Sequence, residues 1–149
     1  MRVDPHQVYL LHRRKYRETS AIVDLLSSSY GRVNCVMKGV YGERKKSSKP
    51  SPEPFQQLEI GWVGRGELPT VTSYEQLNPS AGLVGRALYC GMYINELIVR
   101  LVNRGEPNDS LFELYEKTIK ALSVDAVEVE RVLRQFEKHF LEICGYGLL

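Results

Sequence analysis

The spacing of apolar residues changes once along this chain, near residue 79, and this change limits the possible folds more than any other feature. Before it, apolar residues alternate or form short runs separated by turns, which is typical of β-strands. After it, they recur every three or four residues, which is typical of amphipathic helices. Strands followed by helices predict an α+β fold. We expect two domains, residues 1–79 and 80–149.

Short strands are predicted throughout the first domain. They fall within residues 8–13, 19–26, 32–38, 55–63 and 67–75. In the third of them, Val33, Cys35 and Met37 should face the core. The other face, which includes Arg32 and Lys38, should be wet and basic. Five short strands in so short a segment favour a five-stranded OB-type β-barrel.

The second domain is predicted to be all-helical. Apolar residues recur at helical spacing over three segments, 83–101, 111–122 and 129–143. The Asn-Pro-Ser sequence at 78–80 is a candidate start for the first helix. Ser110 with Glu113 has the spacing of a capping box for the second, and Asp125 with Glu128 has it for the third.

Positive charge is concentrated in the first domain. Residues 1–79 carry a net charge of +4 and residues 80–149 a net charge of −2. Residues 39–54 combine Lys, Ser and Pro with few apolar residues, so we expect this loop to be mobile in the absence of a ligand. Excess positive charge on one domain indicates a polyanionic partner.

Eleven of the twelve Lys and Arg residues of the first domain are the candidate DNA-binding residues. They are Arg13, Arg14, Lys15, Arg17, Arg32, Lys38, Arg44, Lys45, Lys46, Lys49 and Arg65. Clustered Lys and Arg bind phosphates by releasing condensed counterions, and an OB barrel brings its first turn and the face of strands 2 and 3 together. Tyr16, Tyr30 and Tyr41 lie among these charges, where aromatic rings can stack on bases, and Tyr16 and Tyr41 are the candidates for this role. The alternatives are a solvated surface for the cations and ordinary packing for the tyrosines.

A second basic group lies on the third predicted helix. Arg131, Arg134 and Lys138 share one stripe, opposite Phe136 and Phe140. A solvated face is the simpler interpretation. The alternative is a site for an acidic peptide that ends in apolar residues, with Leu141 supplying an apolar contact.

Other classes of protein are disfavoured by what the sequence lacks. The three cysteines are far apart and the histidines do not cluster, so we expect neither a disulfide framework nor a metal site, and no cofactor. No arrangement of catalytic residues is recognisable, which makes an enzyme the weakest class. Free buried thiols and the absence of a signal peptide predict a cytoplasmic protein with no membrane span. The final apolar pair, Leu148 and Leu149, suggests that the natural chain continues.

Several short segments, taken in order, resemble the bacterial RecO family of recombination mediators. They are Tyr16-Arg17-Glu18-Thr19-Ser20, Tyr30-Gly31-Arg32-Val33, Met37-Lys38-Gly39-Val40, Pro54-Phe55, Gly64-Arg65-Gly66-Glu67-Leu68, Tyr93-Ile94-Asn95-Glu96-Leu97, Leu133-Arg134-Gln135-Phe136-Glu137 and Gly145-Tyr146-Gly147. The ordered series covers nearly the whole chain. The resemblance therefore identifies the chain as the N-terminal part of such a protein.

Membership of that family implies an OB barrel followed by a helical domain, incomplete here. It implies binding of single- and double-stranded DNA, annealing of complementary strands and association with the nucleoid. The implied partners are RecR, the acidic C-terminal tail of single-stranded DNA-binding protein and, indirectly, RecA. Some relatives carry a zinc-binding cysteine cluster just beyond the Gly-Tyr-Gly segment. Two other hypotheses stay open, a protein-binding adaptor with a structural barrel and an OB-type RNA-binding protein of the translation apparatus.

Overall fold

The computed structural model describes residues 1–41, 50–79, 81–124 and 128–145. Within them, five strands precede three helices. The strands are β1 (Arg2–Tyr16), β2 (Ser20–Ser27), β3 (Gly31–Met37), β4 (Gln57–Val63) and β5 (Thr70–Gln76). The helices are α1 (Gly85–Leu101), α2 (Asp109–Val124) and α3 (Val129–Ile143). The predicted α+β order is confirmed.

The strands close into an OB-like ring in the order β1-β2-β3-β5-β4. β1 closes the ring because its first half pairs with β4 and its second half with β2. It therefore runs for 15 residues, whereas the sequence predicted only residues 8–13. Pro5, which cannot donate a ladder hydrogen bond, falls within a register shift between Val3 and His6. β3 meets β5 in parallel at one pair, Val36 with Thr70.

Several predicted boundaries were wrong. Phe55 is predicted within β4 but precedes it, in a turn with φ 67°, and is buried beneath α1. β5 is predicted to begin at residue 67 but begins at Thr70.

Ser110 does not cap α2, because the Asn108 side chain accepts the hydrogen bond of the Leu111 N–H at 3.0 Å. α1 begins at Gly85, later than the Asn-Pro-Ser segment predicted, and the predicted start of α3 at residue 125 lies outside the described residues.

Two apolar clusters share β1 and β2. Residues such as Leu10, Leu25 and Cys35 fill the ring. Tyr9 and Leu26 point outward and pack against the three helices. Alternation along these strands therefore serves two cores, one on each face.

The cysteines are free, but only one fits the expectation of buried thiols. Cys35 is fully buried, and burial raises the pKa of its thiol to about 12. Cys90 and Cys144 are half-buried against the helical cluster. The prediction was wrong for these two because they lie at the margin of the helical layer.

Glu116 of α2 joins the helices to the barrel through hydrogen bonds. Its Oε2 accepts from the Tyr9 hydroxyl at 3.0 Å and from the side-chain amides of Gln7 at 3.3 Å and Gln57 at 3.4 Å. Burial, with the neighbouring carboxylate, raises the pKa of Tyr9, which therefore remains a donor. The carboxylate thus binds two strands, β1 and β4, to one helix.

Gly31 should be required where β3 passes beneath the loop between α1 and α2. Its φ is 73°, and a Cβ built there would lie 2.3 Å from the backbone oxygen of Glu106. We expect Gly31→Ala to lower the free energy of unfolding by about 2 kcal/mol or more, from the left-handed backbone and the clash together. Urea denaturation measures the loss. Gly39→Ala is the matched control, because Gly39 has φ 74° with nothing within 4 Å; equal losses for the two variants would contradict the clash.

Candidate nucleic-acid interface

Four exposed cations meet at the end of the β1–β2 hairpin. They are Arg14, Lys15, Arg17 and Lys38, here called the hairpin-end surface. The backbone N–H groups of Val40 and Tyr41 both donate to the Thr19 carbonyl at 2.9 Å. These bonds hold the segment after β3 against the hairpin turn. Glu18 is the one acidic residue in that turn.

Strand geometry decides how these side chains are presented. Arg14 pairs with Ile22 and Lys15 with Ala21, so the two cations leave β1 on opposite sides. Arg17 begins the turn with φ 57°, a left-handed conformation that reverses the chain in a short loop. The cations therefore surround the tip of the hairpin and do not line one strand face.

The two candidate stacking residues are each covered by an arginine. The Arg17 guanidinium lies 5.0 Å from the centre of the Tyr16 ring, and that of Arg13 lies 5.8 Å from the centre of the Tyr41 ring. Both tyrosines are half-buried, and Tyr41 also packs on the barrel core. The guanidinium occupies one face of each ring, and stacking of a base stays a prediction.

Arg13 has a structural role of its own. Its guanidinium donates to the Pro52 carbonyl at 2.8 Å and to a Glu53 carboxylate oxygen at 3.4 Å. These bonds hold the segment before β4 against the barrel, and Arg13 is only partly exposed. Its charge adds to the hairpin-end surface but is partly offset by Glu53.

Arg32 is not on a wet face, so the prediction for that position was wrong. Its Nη1 lies 2.7 Å from Asp24 Oδ2, and its Nε donates to the Val102 carbonyl at 2.9 Å. The side chain is only 12% exposed because the loop after α1 covers this end of β3. Burial raises the pKa of Asp24 in spite of the adjacent guanidinium. The ion pair therefore serves the fold.

Arg65 is exposed in the loop that joins β4 to β5. That loop is fixed to β3 by a hydrogen bond from the Val36 N–H to the Pro69 carbonyl at 2.8 Å. The hairpin turn and this loop therefore flank the C-terminal end of β3 from its two sides. Arg44, Lys45, Lys46 and Lys49 lie outside the described residues, as does half of the loop predicted to be mobile, residues 42–49.

The basic stripe of α3 is solvent-exposed, as predicted. Arg131, Arg134 and Lys138 are exposed on the face opposite Phe136 and Phe140, which are buried. Arg131 lies 3.9 Å from the Glu128 carboxylate in an exposed pair. Leu141, 44% exposed, continues the stripe one turn on. An apolar side chain therefore adjoins the cations.

Two kinds of feature are absent from the described part of the chain. No helix there is long and apolar enough to cross a membrane. No group of three or more His, Cys, Asp or Glu side chains there is placed to hold a metal ion.

Sequence reasoning missed a groove between the barrel and the helices. Tyr30, Asn34, Trp62 and Arg104 line it together with neighbouring residues. These residues come from three distant parts of the chain and show no common motif. Only the folded arrangement brings them together.

Comparison with known proteins matches both halves of the chain. The family described as Recombination protein O N terminal matches residues 1–80, and Recombination protein O C terminal matches residues 84–149. The chain is 41% identical to the DNA repair protein RecO of Nitrosococcus oceani over all of its own length and 60% of that protein's. It is 39% identical to the RecO of Psychromonas ingrahamii and 41% to that of Cellvibrio japonicus, over 99% of its length and 63% and 62% of theirs.

The chain thus spans about three fifths of the length of the curated relatives it matches. The OB-like ring and the three helices fall within the two matched regions. With both family regions matched in order and relatives near 40% identity along the whole chain, this protein belongs to the RecO family.

Proposed function

We propose that this chain binds DNA as a non-catalytic part of a recombination mediator, at the nucleoid, with the hairpin-end surface as the first contact. The observation that carries the proposal is the convergence of four exposed cations at one end of an OB-like ring in a chain of this family. Such a surface neutralises phosphates and is indifferent to base sequence. Single-stranded and double-stranded DNA both offer phosphates to such a surface.

We further propose that the whole protein anneals complementary strands and helps to load RecA, with RecR and the tail of single-stranded DNA-binding protein as partners. These roles rest on membership of the family, because the relatives carry the name DNA repair protein. The described residues offer two separate basic surfaces for two polyanionic partners, one on the barrel and one on α3. The division into a barrel domain, 1–79, and a helical domain, 80–149, is proposed on the same footing.

A salt series tests the DNA-binding surface. The variant in which Arg14, Lys15, Arg17 and Lys38 are all Ala should bind a single-stranded oligonucleotide more weakly and with a flatter log–log salt dependence. Each phosphate that the variant no longer neutralises should reduce the slope by about 0.7. Because all four side chains are exposed, each substitution should change the free energy of unfolding by less than about 0.5 kcal/mol. Fluorescence anisotropy across the salt series gives both the affinity and the slope.

A control variant with the same change in net charge separates the effect of the hairpin-end surface from that of overall charge. Replacing Lys117, Arg131, Arg134 and Lys138 by Ala also removes four positive charges, all of them on the helices. This variant should keep the parent's slope. If the slope falls equally in both variants, only net charge matters and the hairpin-end surface is not the interface. The loop residues Arg44, Lys45, Lys46 and Lys49 remain predicted contacts and form a third variant.

The adaptor hypothesis makes the opposite prediction for the same measurement. A protein-binding adaptor with a structural barrel would show little DNA binding at physiological salt and no dependence on these four cations. The concentration of exposed cations around one hairpin favours the DNA-binding proposal over it.

The stripe on α3 has a separate expected result. Arg134→Ala with Lys138→Ala should weaken the binding of a synthetic acidic peptide with an apolar C-terminus by about tenfold, since two charge-assisted hydrogen bonds can no longer form. Isothermal titration measures the affinity. Arg14→Ala with Lys38→Ala removes two charges elsewhere and should leave peptide binding unchanged. Equal weakening in both double variants would mean that the peptide senses only overall charge.

A further inference from the structure

The groove between the barrel and the helices encloses about 370 Å³. Its walls are β3, the β4–β5 loop and the loop between α1 and α2. It is separate from the hairpin-end surface, and none of the DNA-binding residues proposed above lines it except the buried Arg32.

The edge of β3 is open in the middle of this groove. The Gly105 N–H donates to the Arg32 carbonyl at 2.9 Å, and the Val36 N–H donates to the Pro69 carbonyl at 2.8 Å. Alternate residues of a strand direct their backbone groups to the same neighbour, so the N–H and C=O of Asn34 face the same side. The two flanking bonds are roughly 13 Å apart along the strand. An added peptide strand would be blocked at both ends, whereas a compact planar group fits between them.

The side chain of Asn34 supplies a polar group at the same place. Its Oδ1 is buried and has no hydrogen-bond partner among the described residues. No hydrogen bond to that oxygen holds the amide, and rotation about χ2 would turn its donor and acceptor toward the groove. An amide presents one donor and one acceptor side by side, which matches the edge of adenine.

An aromatic wall stands beside that amide. The Tyr30 ring lies 5.6 Å from the Trp62 ring, centre to centre, and His6 contacts both at 5.4 and 5.0 Å. Tyr30 is 37% exposed, whereas Trp62 is buried behind it. The tyrosine ring is therefore held in place before any ligand binds, which lowers the entropic cost of stacking a base on it.

Arg104 adds a positive charge at the rim. It is exposed and forms no salt bridge with any described residue. A guanidinium at this point is suited to the phosphate attached to a base in the groove.

We propose that this groove binds one unpaired adenine nucleotide, with the base between Tyr30 and the β3 edge and its phosphate on Arg104. The base comes either from single-stranded DNA held by the hairpin-end surface or from a free nucleotide. The first source rests on the proposed function, and the second does not. The groove then adds a preference for a base to a surface that otherwise recognises phosphate.

Trp62 is the one tryptophan of the chain and reports directly on the groove. The full chain is titrated with dAMP and with oligothymidylates of about eleven nucleotides, a length within the range that an OB fold covers. The central position carries adenine, unsubstituted purine or an abasic sugar. We expect the adenine oligomer to quench Trp62 and to bind about tenfold more tightly than the abasic one. The affinity for the purine oligomer, whose base lacks the exocyclic amine, should lie between those for the adenine and abasic oligomers.

Asn34→Ala tests the hydrogen-bonding part of the proposal. It should bind the adenine and purine oligomers equally, because the group that distinguishes them is gone. Removal of an unpartnered polar atom should not destabilise the fold. Asn103→Ala is the matched control, since Asn103 is exposed in the adjoining loop and does not line this groove. The Asn103→Ala variant should bind the adenine oligomer more tightly than the purine oligomer, as the parent does.

The outcomes separate the two proposals. Salt-dependent binding without any preference for adenine, or with a preference that survives in Asn34→Ala, overturns the groove and leaves the proposed DNA-binding function standing. Quenching by dAMP that disappears in Asn34→Ala, without oligonucleotide binding, supports the groove as a nucleotide site and contradicts the DNA-binding function. Quenching of Trp62 by none of the ligands overturns the groove as a nucleotide site.

Discussion

Replacing Arg32 by Ala should lower the free energy of unfolding by about 3–5 kcal/mol, although the sequence makes Arg32 a candidate DNA contact. The substitution removes the partner that lies 2.7 Å from Asp24 Oδ2 and leaves a carboxylate in a site where its own side chain is only 11% exposed. Breaking a buried pair by removing one partner costs this much because the remaining charge is uncompensated. The bond to the Val102 carbonyl disappears as well. Urea denaturation followed by circular dichroism measures the change.

Lys38→Ala is the matched control. Lys38 comes directly after β3 and was predicted to share its outer face with Arg32, but unlike Arg32 it is exposed. Its replacement should change the free energy of unfolding by less than about 0.5 kcal/mol. A loss near that value for Arg32→Ala would contradict a structural role for the pair.

A double variant separates the ion pair from simple loss of packing. Asp24→Leu with Arg32→Met replaces both charges by apolar groups of similar size, and such replacements are often neutral or stabilising. We expect it to recover most of the stability that Arg32→Ala removes. The pKa of Asp24 is raised by burial, so the ionised carboxylate is disfavoured in the fold relative to the unfolded chain. In the parent, this carboxylate makes the free energy of unfolding fall as the pH rises through its folded pKa. That pH dependence should be absent from the double variant.

This result changes how DNA-binding mutants of the barrel should be interpreted. A charge reversal at Arg32 would abolish binding by destabilising the fold, whether or not Arg32 contacts phosphate. The hairpin-end surface allows a cleaner test, since its four cations are exposed.

The order and type of the elements were predictable because the apolar period differs between strands and helices over long segments. The alternation of Val33 and Cys35 and the helical spacing of Phe136 and Phe140 identified residues that do face the cores. The length of β1 was not predictable in this way. Its first residues include Asp4 and Pro5 and carry no strand pattern; they are extended because β4 pairs with them to close the ring.

The candidate site was predictable only where exposure follows from local sequence. A short turn exposes its side chains in almost any fold, so the exposure of Arg17 was predictable from the sequence. The burial of Arg32 depends on a distant loop, the one after α1, which reaches β3 through Gly105. Asn34 and Trp62 become neighbours in a groove only when that loop and the ring are both in place. Contacts between residues so distant in the sequence cannot be predicted from a local pattern.

The second large effect is expected at Asn95, which is 5% exposed and links three elements. Its side-chain nitrogen donates to the Leu11 carbonyl of β1 at 3.0 Å, and its Oδ1 accepts from the Tyr115 hydroxyl of α2 at 2.7 Å. Asn95→Ala leaves both partners buried without these hydrogen bonds. Each such group costs about 1–3 kcal/mol, so the variant should lose about 2–6 kcal/mol of unfolding free energy.

Two further variants calibrate that loss. Tyr115→Phe removes only the second hydrogen bond and should cost about 1–3 kcal/mol. Asn103→Ala, at an exposed position with one weak bond to Glu106, should cost less than about 0.5 kcal/mol. A small loss in Asn95→Ala, comparable to that of the exposed control, would mean that water replaces both bonds.

The course of unfolding in Asn95→Ala tests whether the barrel and the helices are one cooperative unit. Tyr9 and Leu10 are adjacent on β1, yet one packs on the helices and the other fills the ring. Releasing the helices therefore exposes β1 on its outer face and weakens the closure of the ring. We expect the Trp62 fluorescence of the barrel and the helical circular dichroism signal to change together, at a lower urea concentration than in the parent. If the helical signal disappears first and Trp62 reports a later transition, the barrel is stable alone and the two layers are joined only weakly through Asn95 and Glu116.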